Sequence, residues 1–168
     1  YGYSFSDSKN NKNSTDTTAN DTNAIGHGVT LGHDFMFNEL ISSSTGLGYS
    51  ISEAKDGTND YETYDLNFRL NFAFPWAYIS TGDALSFNDY KNVDTSINSN
   101  RIRSDVTNTF DVMFTKSIGD IFPSIDPNKN LFINLSYEKI ISEANILNYD
   151  YIADSYSLSF SKSFHLNK

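Results

Sequence analysis

From Tyr64 to Phe74 the chain reads Tyr-Asp-Leu-Asn-Phe-Arg-Leu-Asn-Phe-Ala-Phe, apolar at every even position and polar or charged at the odd positions before Ala73. An amphipathic helix would gather its apolar groups at three- and four-residue spacing, so this period of two predicts a strand. One face carries Leu66, Phe68, Leu70, Phe72 and Phe74, and the other carries Asp65, Asn67, Arg69 and Asn71. The alternation recurs elsewhere. Val29, Leu31, Phe35 and Phe37 oppose Gly28, Thr30, Gly32 and Asp34, while Leu47, Tyr49 and Ile51 oppose Gly46, Gly48, Ser50 and Ser52. Val106, Phe110, Val112 and Phe114 oppose Asp105, Thr107, Thr109 and Asp111. Leu131, Ile133, Leu135 and Tyr137 oppose Phe132, Asn134, Ser136 and Glu138. Tyr156, Leu158, Phe160 and Phe164 oppose Ser157, Ser159, Ser161 and Ser163; a weaker segment near 77–90 and residues 1–8 bring the expected strands to eight.

The connections differ in character. Segments 9–23, 55–60, 91–100 and 142–150 are polar and read as exposed loops, whereas Asn38-Glu39 and Pro75-Trp76 are tight turns. Segment 117–130, with Pro123 and Pro127, is the one long member of the second group. Long loops on one side and short turns on the other are the pattern of outer-membrane barrels, whose strands are about ten residues of alternating polarity. The 168 residues over eight strands leave about 21 for each strand with its connection, more than the 8–12 of a soluble sandwich. The expected fold is therefore all-β: an antiparallel up-and-down transmembrane β-barrel over residues 1–168, either a whole small barrel or the C-terminal part of a larger one. Aromatics beside the turns, among them Phe35, Phe37, Phe74, Trp76, Tyr78, Tyr90, Tyr149, Tyr151 and Phe164, would form its interfacial girdles. Tyr1-Gly2-Tyr3-Ser4-Phe5-Ser6 alternates from the first residue, which favours a piece of a longer chain.

Composition narrows the surroundings. Aromatics at 15% set the chain apart from disordered sequences, and a net charge of −9 argues against nucleic acid as a partner. With no cysteine, disulfides and thiolate metal sites drop out. No stretch approaches the eighteen apolar residues of a membrane helix, as alternating strands would require.

Arg103-Ser-Asp105, Leu131-Phe-Ile-Asn-Leu-Ser-Tyr137, Ala144-Asn145, Tyr149-Asp-Tyr151 and the closing Tyr-Ser-Leu-Ser-Phe-Ser-Lys-Ser-Phe164 resemble the last strands of Gram-negative outer-membrane barrels. More loosely, the chain is similar to barrels that follow periplasmic tetratricopeptide repeats, such as surface-lipoprotein assembly modifiers. The resemblance covers about the last seventy residues and carries over no catalytic residue. It implies the outer membrane of a Gram-negative bacterium, with lipid bilayer and lipopolysaccharide around the barrel. It also implies assembly machinery that reads the C-terminal strand, and a periplasmic or surface protein partner. One departure is that His165-Leu166-Asn167-Lys168 follows Phe164, where such barrels end on the aromatic.

Among charged residues Arg69 is the most informative, since its parity aims it at the lumen from mid-strand. Mirroring across 55–60 places it opposite Gly46. A three-residue turn at 75–77 sets it beside Asp83, and a two-residue turn beside Gly82. Asp83 is the expected partner, because a carboxylate facing lipid is costly; Ile79, Leu85 and Phe87 would then turn inward and Ser80, Gly82 and Ala84 outward. Arg69, Asp65, Asp83, Asp105, Asp111 and Glu138 are the expected lumen-facing charges, lining a conduit or closing a small barrel as an ion-pair plug. Leu66, Phe68, Leu70, Phe72, Leu135, Leu158 and Phe160 are expected to face lipid.

No cofactor, metal site or enzymatic activity is expected. His27 and His33 share the outward parity, His165 lies past the last aromatic, and the rim acids Asp7, Asp56, Asp60, Asp89, Glu143 and Asp154 have no oriented base. Asp56-Gly57-Thr58-Asn59-Asp60 resembles half of a calcium loop without its glutamate. The functional expectation is a porin-like transport or translocation channel or a membrane anchor. The alternatives are a non-transporting surface barrel whose loops bind ligands or partners, and a soluble secreted β-sandwich adhesin.

Overall fold

A computed structural model describes residues 2–8, 24–54, 60–93 and 100–163, with the backbone alone at 2–8, 24 and 54. Expectations for segments 9–23, 55–59, 94–99 and 164–168, including the calcium-like loop, Phe164 and His165, lie outside these residues. Seven long strands follow one another: β2 (Ala24–Met36), β3 (Ile41–Ala54), β4 (Tyr61–Phe74), β5 (Ala77–Val93), β6 (Ile102–Ser117), β7 (Leu131–Ala144) and β8 (Tyr151–Lys162). A shorter β1 (Gly2–Ser8) extends the sheet through its backbone ladder to β2. Every pairing is antiparallel and in sequence order, the up-and-down arrangement that the alternating segments predict.

The tight connections follow from their residues. After β2, the Asn38 side-chain oxygen accepts the Leu40 and Ile41 N–H groups at 2.8 and 2.9 Å, closing a turn that asparagine is suited to. Pro75 and Trp76 alone join β4 to β5, with Phe74 paired to Ala77. That length corrects the expectation for β5. A two-residue turn places Gly82, not Asp83, opposite Arg69, and β3 presents Ser44, not Gly46. A one-residue change of register moves every side chain to the other face, so Ile79, Asp83, Leu85 and Phe87 join the apolar face and Ser80, Gly82 and Ala84 join the polar one.

Connection 118–130 is folded about one carboxylate. A short helix α1 (Ile118–Ile121) starts it, and Asp126, 6% exposed, accepts the N–H groups of Asn130 at 3.0 Å and Leu131 at 2.8 Å. Burial pushes the Asp126 carboxyl up, but donation from the Leu131, Asn130 and Gly119 amides outweighs it and holds the group below the usual carboxylate range. A depressed folded value makes this contribution complete above the ordinary carboxylate pKa of about 4 and lost as pH falls through the lower folded value. Hydrogen-exchange protection at Asn130 and Leu131 is therefore expected to drop below about pH 4. In Asp126→Asn it is expected to be weaker at neutral pH and flat across the same interval; an unchanged acid response in that variant would reject Asp126 as the cause.

Among the described residues the strands make a single layer, and β1 and β8 do not pair with each other. The expectation of a whole, closed eight-stranded barrel is thereby corrected: these strands form an open sheet. Alternation sets which way side chains point, whereas closure depends on accumulated twist and stagger. Stagger is present. The ladder row through Leu31, central in β2, runs by Leu47, Leu66, Leu85, Asn108 and Ile141 to Ile152, the second residue of β8. Among the described residues the most buried include Ser80, Asp105 and Ser142 on the polar face, and the one buried hydrophobic residue is Ala77.

Candidate functional site

The polar face is built around a charge pair that spans three strands. From β4, Arg69 reaches across β5 and donates to both carboxylate oxygens of Asp111 on β6, at 2.9 and 2.6 Å. The crossing is made possible by Gly82, where an added Cβ would lie 2.7 Å from both the Arg69 Nη2 and an Asp111 oxygen. Arg69 also donates to Ser80 Oγ at 2.9 Å; Ser80 and Tyr78 donate in turn to the Asn71 side-chain oxygen at 3.0 and 2.8 Å. The expected Asp83 is not part of this network. It is exposed on the apolar face and accepts a hydrogen bond from the Asn108 amide at 2.7 Å.

Small residues on β3 leave space beside this network. Gly46 lies under the Asn67 carboxamide and Gly48 under the Asp65 carboxylate, where added Cβ atoms would meet those side chains at 2.6 and 3.1 Å. The result is an open hollow of about 400 Å³ whose lining includes Gly32, Gly46, Gly48, Asp65 and Asn67. Asp65 accepts the Ser86 hydroxyl. Glu138 is the ladder partner of Asp111 on the polar side, yet Arg69 is committed to Asp111 and Glu138 has no ion pair among the described residues. The polar face therefore carries free acid but, in the described strands, no free base: Arg69 and Arg103 are both paired.

Toward the long-loop end, Asp105 is 3% exposed and held by Arg103, whose Nε donates to it at 2.8 Å. The guanidinium lies over the Tyr90 and Tyr149 rings, 4.5 and 3.6 Å from their centroids, so this cation is enclosed by aromatic faces. Asn145 ties the following loop to β6: its side-chain oxygen accepts the Ser104 N–H at 3.0 Å and its amide donates to the Ile102 carbonyl at 2.7 Å.

Of the six charges expected together, the structure joins Arg69 with Asp111, leaves Asp65, Asp105 and Glu138 on the same face in separate settings, and moves Asp83 to the other. Leu66, Phe68, Leu70, Phe72, Leu135, Leu158 and Phe160 do share one face by register. Their neighbours at the short-turn end include stacked Phe72–Phe74 and Phe74–Trp76 rings, with centroids 6.0 and 5.6 Å apart. The sequence assigns Tyr90 and Tyr149 to an aromatic girdle and names Gly82 only as the alternative neighbour of Arg69; their contacts with Arg103 and with the Arg69–Asp111 crossing, and the role of Ser80, come from the structure. The glycine carried a signal, since it interrupts a strand where β-rich positions rarely use glycine unless another group approaches.

Among the described residues no group of three acids or histidines could hold a metal, and His27 and His33 occupy rows of the apolar face. Fold and site together define a single-layer antiparallel up-and-down β-sheet protein with one apolar face and one polar, acid-rich face. Comparison of the chain with protein-family models and with curated proteins finds no match to either.

Proposed function

We propose that this sheet is a segment of the wall of a β-barrel in the outer membrane of a Gram-negative bacterium, its apolar face toward lipid and its polar face lining a conduit. The observation that carries the reading is the inverted accessibility. Leu66, Leu158 and Phe160 are 48, 58 and 67% exposed, while Ser80, Asp105 and Ser142 on the polar face of β5, β6 and β7 are 1, 3 and 4% exposed. In water that arrangement leaves a large apolar surface uncovered, and a lipid surround removes the cost. Single-layer topology and the stagger of the rows agree with it. A two-sheet adhesin would need a second layer to bury the leucines.

Among the described residues β1 and β8 each keep an unpaired edge, and further strands would complete the wall. A wider barrel leaves a lumen that side chains do not fill, which favours a lining role for the Arg69–Asp111 network over a plug. With Asp65 and Glu138 not neutralised by any cation in the described strands, the conduit is expected to prefer cations.

Detergent dependence and planar-bilayer conductance test the reading. Folded protein is expected only in detergent or lipid, with an open, cation-preferring conductance, and Glu138→Gln is expected to reduce the cation preference severalfold. A chain that is monodisperse and folded without detergent would sink the membrane reading. A silent barrel would retain the anchor role and reject the conduit.

A further inference from the structure

Connection 118–130 lies at the end of the sheet where β4 and β5 are joined by Pro75 and Trp76 alone, and lining a conduit gives it no task. Its backbone is closed on itself. The Phe122, Ile125, Asp126 and Lys129 amides donate to the carbonyls of Ile118, Phe122, Phe122 and Asp126 at 2.7, 3.0, 3.3 and 3.1 Å. Its charges are closed as well: Asp120 pairs with Lys129 at 2.7 Å and Lys116 at 3.7 Å, and buried Asp126 accepts the Asn130 and Leu131 amides. What this small fold turns outward is apolar, with Ile121, Phe122 and Ile125 at 49, 54 and 65% exposed. Single exposed apolar residues are ordinary, but three within five residues of one connection form a patch.

The patch continues the apolar face. Lys116 has the parity of Val112 and Phe114 on that face. Its ammonium donates to the Trp76 carbonyl and holds Asp120, which fixes α1 beside the aromatic row of Phe74, Trp76 and Phe114. We infer that connection 118–130 is an interfacial anchor that lays Ile121, Phe122 and Ile125 into a phospholipid surface at the short-turn end of the sheet. The inference rests on the membrane reading, because it needs lipid against Phe74 and Trp76.

Continuity and charge select lipid over a protein partner. A bilayer that wets the apolar face as far as Trp76 meets this patch next, at the depth where aromatic residues gather. That layer is poorly hydrated, so backbone and charged groups enter it cheaply only when they are paired, as they are here. Asp120 and Asp126 balance Lys116 and Lys129, so attraction comes from apolar area and is expected to be alike on zwitterionic and anionic lipid. Leu147 provides a contrast. It is 84% exposed, but Tyr149 holds its connection to Arg103 on the polar face at the opposite end of the strands.

Trp76 is the only tryptophan, so Trp76→Phe with Phe122→Trp moves the sole fluorophore into the patch. In phosphatidylcholine vesicles, lipid brominated high on its acyl chains is expected to quench this protein roughly twofold or more, with weak quenching by iodide on both sides of the membrane. Ile125→Trp in the same background is expected to behave alike, and Leu147→Trp to give the reverse. Adding phosphatidylglycerol is expected to change none of these. Quenching by iodide and not by brominated lipid at both 122 and 125 would overturn the anchor, as would equal lipid quenching at 147 or a requirement for anionic lipid. Failure of the membrane reading is seen separately, as a fold kept without detergent, whereas failure of the anchor alone is a protein that inserts and leaves this connection in water.

Discussion

Gly82→Val is expected to destabilise the folded sheet by about 2 kcal/mol, even though valine is the better strand former. An added Cβ would sit 2.7 Å from both members of the Arg69–Asp111 pair, and a branched side chain cannot share that gap. Breaking a buried ion pair costs about 3–5 kcal/mol because the charge left behind is stranded. The lower figure follows from exposure, since the Arg69 and Asp111 side chains are 41 and 26% exposed and water takes up part of the loss. Denaturant unfolding of the refolded protein, read from Trp76 fluorescence, measures it. The same substitution in an Arg69→Ala, Asp111→Ala background is expected to cost much less, because no pair remains to be displaced. Equal losses in both backgrounds would assign the effect to the backbone and not to the pair.

Leu66→Arg is expected to impair insertion into vesicles by about 2–4 kcal/mol, the cost of an arginine near the bilayer midplane on a barrel's lipid face. Leu66 lies in the row with Leu31, Leu47 and Leu85, where no charged residue interrupts the apolar face. In water the same change at a residue 48% exposed would fall within about 0.5 kcal/mol. The two settings thus differ by several-fold in a single measurement of the folding equilibrium. A near-neutral result in vesicles would show that residue 66 does not face lipid.

These expectations draw differently on sequence and structure. Leu66, Phe68, Leu135 and Leu158 could be placed on one face from alternation alone, because side-chain direction in a strand has period two whatever the strand pairs with. Asp65, Arg69, Asp111 and Glu138 were legible on the opposite face for the same reason. Asp83 was not. Its assignment rested on the length of the turn at Pro75-Trp76, and one residue there decides the parity of the whole of β5. The preference for a charged partner to Arg69 favoured the longer turn, but the true partner came from a strand farther away, reached over a glycine.

Sequence by itself determined that this protein is built from antiparallel two-faced strands, since a period of two is a local property of each segment. It also determined where tight turns fall, at Asn38 and at Pro75-Trp76, because turn chemistry resides in a few adjacent residues, though not the length of the second. Tertiary structure alone decided that Arg69 pairs with Asp111 across 42 residues of chain, that Asp83 falls on the apolar face, and that the sheet of described strands is open. Each of these depends on register and curvature summed over several strands, and no single segment of the chain carries that information.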